Sequence, residues 1–290
     1  MPRGVPKAGY RKTSAAIARQ TGADMLQKVV PMVVVQNETD EEIEARLAER
    51  FDILAELTDA AIKGHSRALV VSGPAGLGKS YTVEEKLQDW DADAVNHTIV
   101  KGYVRPTGLY RLLYQHRMPN QVIVFDDADA IFFDDVSLNL LKAVCDTTER
   151  RVVSYMSEKI MVDEDEAVTI PKSFEFKGTI IFITNLDFDQ MIEKGHKAAP
   201  HMQALVSRSH YIDLAMKTRR DYMIRIKQVV KQGLLAHLSK TQQDDVMAFL
   251  DKNQDKLREL SLRMAIKVAA IRKLDKPNWM AMAKATCCKL

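Results

Sequence analysis

Short apolar runs alternate with amphipathic stretches along the first two thirds of the chain. Apolar residues recur at helical spacing over residues 43–57, after Thr39 and Glu42 in the positions of a capping box. Four apolar runs predict buried strands, at residues 68–72, near Val100, at 121–125 and at 179–184. Helical periodicity lies between them, around residues 82–90, 109–115 and 138–145. Because strands alternate with helices, we predict an α/β fold in which helices cover both faces of a parallel sheet.

The pattern changes near residue 217. From there on, apolar residues recur at helical spacing with no strand between them, which predicts a small all-α domain. We therefore divide the chain into an N-terminal arm (1–38), an α/β domain (39–215) and a helical domain (216–290). Within the α/β domain, residues 150–178 are predicted to form a hairpin extension with an acidic tip at 163–166.

The net charge is +3, from 42 Lys and Arg against 39 Asp and Glu, and does not by itself indicate a nucleic-acid partner. Its distribution is more informative. Residues 1–20 hold five basic residues and no acidic one: Arg3, Lys7, Arg11, Lys12 and Arg19. Such a flexible arm either neutralises phosphates on DNA or RNA or serves as a solvated tail.

The sequence gives no sign of a membrane or secretory segment. No apolar run approaches the ~20 residues of a membrane span, and the start lacks the apolar core of a signal peptide. Cys145, Cys287 and Cys288 have no spacing suited to a disulfide framework or a zinc site. We expect a cytoplasmic protein with no membrane partner.

A phosphate-binding motif follows the first predicted strand. Residues 73–80, GPAGLGKS, fit G-x-x-x-x-G-K-[ST] between a strand and a helix, which is the context this motif requires. Its glycines let backbone N–H groups point at phosphate oxygens, and the helix N-terminus adds partial positive charge. Lys79 is predicted to reach the β and γ phosphates, and the Ser80 hydroxyl to bind Mg²⁺. The predicted ATP-binding residues here are Gly73, Pro74, Ala75, Gly76, Leu77, Gly78, Lys79, Ser80 and Tyr81.

Paired carboxylates follow the third predicted strand. ATP hydrolysis requires one group that holds the Mg²⁺ shell and one that orients or activates the attacking water. We assign Asp126 to the metal and Asp127 to the water. The cofactors expected from these motifs are ATP and Mg²⁺.

With these motifs in this order, the chain resembles the AAA+ ATPases from about Ile43 to Lys273. Residues 184–185, at the end of the fourth strand, look like sensor 1, which implies that Asn185 lies between the γ-phosphate and the water. Residues 204–209 look like the arginine-finger region, in which Arg208 reaches the nucleotide of a neighbouring subunit. Residues 260–263 look like sensor 2, so that Arg263 contacts phosphate. The helical domain then corresponds to the family's lid.

The sequence departs from the family at one position. The family usually has Asp-Glu where this chain has Asp126-Asp127, which sets the second carboxylate about one methylene further back. Asp127 then acts after small backbone adjustments, or Asp129 shares its role, or the chain is a slow nucleotide-gated switch.

Four further segments, 102–114, 124–129, 137–142 and 173–178, are similar to uncharacterised ATPases of phages and bacteria. The AAA+ resemblance implies a homo-oligomer, a hexameric ring or spiral, in the cytoplasm of a bacterium or of a phage's host. Tyr103, Val104 and Arg105 match the position of the first pore loop, unless Tyr103 packs against Leu109. The hairpin tip is a second pore loop or a solvated turn. The favoured substrate is DNA, in replication, recombination or genome processing; the alternative is a chaperone-like ATPase that remodels a partner protein.

Overall fold

A computed structural model of the chain describes residues 38–156, 161–163, 168–216 and 218–289. Residues 40–290 form one compact unit. The predicted basic arm lies almost wholly outside the described residues, and residues 164–166 of the predicted acidic tip lie outside them as well.

The described part of the chain contains nine strands and ten α-helices. The strands are β1 (Ala68–Ser72), β2 (His97–Lys101), β3 (Val122–Asp126), β4 (Val152–Ser154), β5 (Met161–Asp163), β6 (Val168–Ile170), β7 (Ser173–Glu175), β8 (Thr179–Thr184) and β9 (His210–Asp213). The helices are α1 (Asp40–Ile62), α2 (Lys79–Trp90), α3 (Pro106–Gln115), α4 (Asp135–Val144), α5 (Phe188–Glu193), α6 (Ala199–Val206), α7 (Arg219–Lys231), α8 (Lys240–Asn253), α9 (Leu262–Lys273) and α10 (Trp279–Cys287). A 3₁₀ helix, Asp129–Phe133, follows β3.

Five parallel strands form the central sheet in the order β2-β3-β8-β1-β9. Strands β1, β3 and β8 are buried along their whole length, because apolar clusters lie on both faces of the sheet. The predicted α/β class and the four predicted strands are therefore confirmed. The fifth strand, β9, was not predicted, because Tyr211 and Ile212 are its only apolar residues and it pairs with β1 alone.

Two antiparallel strand pairs lie in the segment for which a hairpin extension is predicted. Strand β4 pairs antiparallel with β7, and β5 pairs antiparallel with β6. The hairpin is anchored to α3, since the Tyr110 hydroxyl donates to the Pro171 carbonyl at 2.8 Å and its ring lies 5.0 Å from that of Phe174.

Helices α7 to α10 surround a hydrophobic cluster of their own, which includes Ile226, Leu250 and Val268. Ser and Thr residues cap three of these helices: Thr218 caps α7, Ser239 caps α8 in a full capping box, and Ser261 caps α9. The helical character predicted for this region is confirmed, whereas the division of the chain at residue 216 stays a prediction. None of the described helices combines the length and apolar character that a membrane span requires.

Candidate nucleotide site

The phosphate loop, residues 73–80, curls between β1 and α2. Gly73, Gly76 and Gly78 have φ angles of 145°, 75° and 101°, which L side chains rarely adopt. A Cβ on Gly73 would lie 3.1 Å from the Leu214 Cβ, and one on Gly76 would lie 2.8 Å from the Ser261 Cβ. Space and backbone conformation therefore both require glycine in this loop.

Lys79 is the first residue of α2 and is only 4% exposed. Its ammonium group donates to the carbonyl oxygens of Gly73 at 2.5 Å and Pro74 at 2.8 Å, and to the Asn185 Oδ1 at 3.0 Å. Burial lowers the pKa of Lys79 to about 8, although the nearby carboxylates of Asp127 and Asp126 act in the opposite direction. The loop thus holds a cation where a phosphate chain would lie.

Ser80 and Asp126 fit a magnesium ion. The Ser80 hydroxyl donates to the Asp126 Oδ1 at 2.9 Å, which brings a hydroxyl and a carboxylate oxygen to one point at the end of β3. Oxygen ligands of this kind are those Mg²⁺ takes, usually from one or two carboxylates together with substrate phosphates. The described segments contain no group of three or more His, Cys, Asp or Glu side chains suited to a metal. The side chains described there therefore do not form a complete set of metal ligands by themselves.

Lys101, which sequence analysis missed, also contacts this carboxylate. Its ammonium group lies 3.2 Å from the Asp126 Oδ2 and 2.7 Å from the Glu84 Oε1. Lys101 ends β2, directly before the segment 102–105. Its position at the end of a predicted strand, on the same sheet edge as Asp126, was the available signal.

Asp127 lies at the carboxyl end of β3 in a left-handed conformation, with a φ of 52°. Its backbone N–H donates to the Ile183 carbonyl at 3.0 Å, and its Oδ1 accepts from the Asn185 Nδ2 at 2.7 Å. Asn185 therefore bridges Lys79 and Asp127. Asp129 has a different environment, since its Oδ1 accepts from the Thr184 hydroxyl at 2.6 Å and burial raises its pKa.

A cavity of about 800 Å³ opens in front of the phosphate loop, between α1, the end of α7 and the start of α9. It brings together nine of the predicted site residues: Ala75, Gly76, Gly78, Lys79, Ser80, Tyr81, Asp127, Asn185 and Arg263. The Leu262 N–H donates to the Gly76 carbonyl at 2.8 Å, which attaches the first turn of α9 to the loop. Arg263 is thereby placed on the cavity wall.

Arg208 and the predicted pore residues lie elsewhere. The Arg208 guanidinium donates to the Ala204 carbonyl at 2.8 Å, within the last turn of α6 and outside this cavity. Tyr103 is 74% exposed, so it does not pack against the buried Leu109 in the way the alternative supposed. Val104 packs against the core, and Arg105 is the exposed N-cap residue of α3.

Arg225 on α7 is a second residue that sequence analysis missed. Its guanidinium lies 3.4 Å from the centroid of the Phe51 ring and donates through Nε to the Leu77 carbonyl at 3.4 Å. Burial lowers the pKa of Arg225 to about 10. The available signal was its spacing, three residues after Tyr222 and four before Val229, because this places an arginine on the apolar face of a predicted helix.

No family model matches the chain. Among solved structures, a variant of RuvB from Thermotoga maritima is 13% identical with a TM-score of 0.46, over 84% of this chain and 70% of that one. NtrX from Brucella abortus in complex with ADP is 13% identical with a TM-score of 0.49, over 91% of this chain and 56% of that one.

A relative in Enterobacteria phage T4 is much more similar in sequence. It is an uncharacterised 36.7 kDa protein from the nrdC–mobD intergenic region, and it is 36% identical over 254 residues, which cover 85% of this chain and 76% of the relative. This chain belongs to the family of that phage T4 protein.

Proposed function

We propose that this chain is a Mg²⁺-dependent ATPase of the AAA+ type, which hydrolyses ATP to ADP and phosphate. One observation carries the proposal: the hydrogen-bonded pairs Ser80–Asp126, Lys79–Asn185 and Asn185–Asp127 lie together at the carboxyl ends of parallel strands, beside a glycine loop that opens a helix. A cation, an amide and two carboxylates, placed by these hydrogen bonds around a phosphate loop, are the groups that phosphoryl transfer to water requires.

Each group has a distinct part in this mechanism. The loop N–H groups and the N-terminus of α2 bind the phosphates, and Lys79 neutralises charge on the β and γ oxygens. Ser80 and Asp126 would hold Mg²⁺, which when bound neutralises further phosphate charge. Asp127 accepts the proton of the attacking water, and Asn185 holds both that carboxylate and Lys79 in place.

The short side chain of Asp127 is compatible with this role. Its left-handed backbone and its hydrogen bond from Asn185 direct the carboxylate to the cavity wall. The Asp129 carboxylate is instead bound by the Thr184 hydroxyl. We therefore assign the water to Asp127 alone. A slow nucleotide switch is the outcome to expect if Asp127 does not reach the water.

Arg208 acts in trans under this proposal, and the active form is a homo-oligomer, a hexameric ring or spiral. Arg208 lies outside the cavity of its own chain, as a residue that serves a neighbour's nucleotide would. An arginine supplied to the transferring phosphoryl group raises the rate by about 10³–10⁵. Arg263 contributes from α9 within the same chain.

The proposed substrate of the assembled ATPase is DNA. The basic residues of the arm and the exposed Arg105 supply cations for phosphates. The exposure of Tyr103 favours a gripping role for this loop, and it also suits the rival substrate, an extended peptide.

Nucleotide binding and single-turnover hydrolysis test the assignment of the site. Lys79→Ala is expected to abolish tight ATP binding. Asp127→Asn is expected to bind ATP and to hydrolyse it about 10²–10⁴ times more slowly, as for a lost general base. Asp129→Asn is the matched control and should keep most of the activity. Normal turnover by Asp127→Asn with loss in Asp129→Asn would move the base to Asp129.

Mixed oligomers test the role of Arg208. Inactive Arg208→Ala chains and inactive Lys79→Ala chains, when mixed, should regain part of the activity, because some interfaces then combine an intact Arg208 with an intact phosphate loop. A mixture that stays inactive at every ratio would argue against action in trans.

Stimulation of hydrolysis tests the substrate. DNA should raise the ATPase rate in a salt-sensitive way, and removal of residues 1–20 should weaken the effect. Stimulation by a protein and not by DNA would instead favour the remodelling of a protein partner.

A further inference from the structure

Charge is divided unevenly along the chain. Residues 38–216 hold 19 Lys and Arg against 31 Asp and Glu, whereas residues 217–290 hold 17 against seven. By net charge, a polyanion therefore binds the helical part of the chain more favourably than the α/β part.

Ion pairing concentrates this positive charge further. All six acidic residues between 240 and 289 already have cationic partners: Asp244 with Lys240, Asp245 and Asp275 with Arg272, Asp251 with Lys227, Asp255 with Arg219, and Glu259 with Lys267. Among the described residues, eight cations of the same stretch have no acidic side chain within 4 Å. One of them, Arg263, lines the nucleotide cavity, and the other seven are Lys252, Lys256, Arg258, Lys273, Lys276, Lys284 and Lys289.

Backbone hydrogen bonds join the two chain segments that carry most members of a group of five of these cations. The Lys289 N–H donates to the Lys256 carbonyl at 2.7 Å, and the Arg258 N–H donates to the Cys287 carbonyl at 2.9 Å. The Cys288 N–H donates to the Lys284 carbonyl at 3.1 Å, and Lys252 lies one turn before Lys256 at the end of α8. All five side chains are exposed. We call Lys252, Lys256, Arg258, Lys284 and Lys289 the basic surface.

The composition of the basic surface favours a phosphate backbone over a protein partner. Protein interfaces have an apolar centre and are depleted in lysine. Four of the five residues here are lysines, and none of the large exposed apolar side chains occurs at residues 250–260 or 284–289. Like charges on one surface repel one another, and bound phosphates would relieve that repulsion.

We propose that the basic surface binds the phosphate backbone of a nucleic acid. This surface lies on α8, on α10 and on the segments that follow each of them, and its residues are separate from the nucleotide cavity. The inference rests on the proposed function for its choice of DNA as probe, but it needs no ATP hydrolysis. Under this proposal the helical region binds DNA in addition to the N-terminal arm.

Fluorescence anisotropy with labelled single- and double-stranded DNA oligonucleotides, between 50 and 200 mM salt, tests the proposal on the full chain. The test variant carries Lys252→Gln, Lys256→Gln, Lys284→Gln and Lys289→Gln. The control variant loses the same charge at lysines that are paired with acids: Lys86→Gln, Lys227→Gln, Lys231→Gln and Lys240→Gln. A double variant, Lys256→Gln with Lys289→Gln, serves as the test if the quadruple variant does not fold.

Each phosphate contact contributes about 0.9 to the slope of log affinity against log salt for double-stranded DNA. Loss of all four contacts therefore makes this slope less steep by about 3 to 4. The fourfold increase in salt then lowers the DNA affinity of the test variant about 10²-fold less than it lowers that of the unsubstituted chain. The control variant should bind with nearly unchanged affinity and slope. The surface binds whichever DNA, single- or double-stranded, shows the larger change in slope.

Unchanged DNA affinity in the test variant would overturn the proposal. If that variant also loses self-association by sedimentation velocity, the surface serves a second copy of the chain, and the proposal is equally overturned. An equal loss in both variants would show a general charge effect and would also overturn it. ATP hydrolysis without DNA is measured on the same samples. It separates failure of this proposal from failure of the proposed ATPase function, because the test variant keeps its hydrolysis even if it binds no DNA.

Discussion

Gly76 lies where the phosphate loop meets the start of α9. Its carbonyl accepts from the Leu262 N–H, and a Cβ on Gly76 would lie 2.8 Å from the Cβ and 3.2 Å from the Oγ of Ser261. Ser261 is 2% exposed and caps α9 through the Met264 N–H. Gly76→Ala therefore has to displace the helix that carries Arg263.

The expected cost has two parts. The φ of 75° lies in the left-handed region, which costs an L residue about 1–2 kcal/mol. Forcing a methyl group against the buried Ser261 adds about 1–3 kcal/mol, as for other overpacked sites. We expect Gly76→Ala to lower the free energy of unfolding by about 2–5 kcal/mol.

Gly64→Ala is a matched control, because Gly64 has a φ of 73° but no heavy atom within 4 Å of an added Cβ. It should cost only the backbone part, about 1–2 kcal/mol. Urea unfolding of both variants gives the difference, which isolates the contact between the phosphate loop and α9. ATP affinity should fall in Gly76→Ala and stay unchanged in Gly64→Ala. Equal destabilisation, with equal ATP affinity, would refute this packing of α9 on the loop.

Three other substitutions test separate features. Asp91→Asn should destabilise the chain by about 2 kcal/mol in urea unfolding at pH 7, because Asp91 accepts from three backbone N–H groups and from His97. Burial raises the pKa of Asp91, but these hydrogen bonds outweigh that effect and hold the pKa below the usual value of an aspartate. The unsubstituted chain should therefore lose this stability as the pH falls below about 4, whereas the free energy of unfolding of Asp91→Asn should not fall for this reason. Curves of unfolding free energy against pH that run parallel in the two chains would show that Asp91 does not have this role. Arg225→Met should weaken ATP binding about tenfold in calorimetry, because the guanidinium joins Phe51 to the phosphate loop; an unchanged Kd would limit Arg225 to supporting α7. Tyr103→Ala should change the free energy of unfolding by less than about 0.5 kcal/mol, because the side chain is 74% exposed; a large loss would mean that Tyr103 packs against the core.

The strands β1, β3 and β8, which hold the phosphate site, could be predicted because each is short and has a central run of apolar residues. The motif at residues 73–80 and the carboxylates after β3 then follow from their place at strand ends. Strand β9 could not be predicted in this way, since an edge strand with one neighbour needs few apolar residues.

Arg225 and Lys101 were missed for a different reason. Each contacts the site from an element distant in sequence. Local spacing can therefore mark the residue as unusual, but its role depends on how α7 and β2 pack. A motif specifies the residues that bind phosphate, but not the side chains that support those residues from other elements. The basic surface is a similar case, because it depends on which acids are already paired.

The decisive experiment is a phosphate-release assay at increasing chain concentrations, with and without Mg²⁺. We expect Mg²⁺-dependent ATP hydrolysis whose rate per chain rises with concentration, as chains assemble and Arg208 reaches a neighbour's nucleotide. Lys79→Ala should show no such hydrolysis. A rate that never exceeds that of Lys79→Ala, at any concentration and with DNA present, would show that the chain is not an ATPase of this kind.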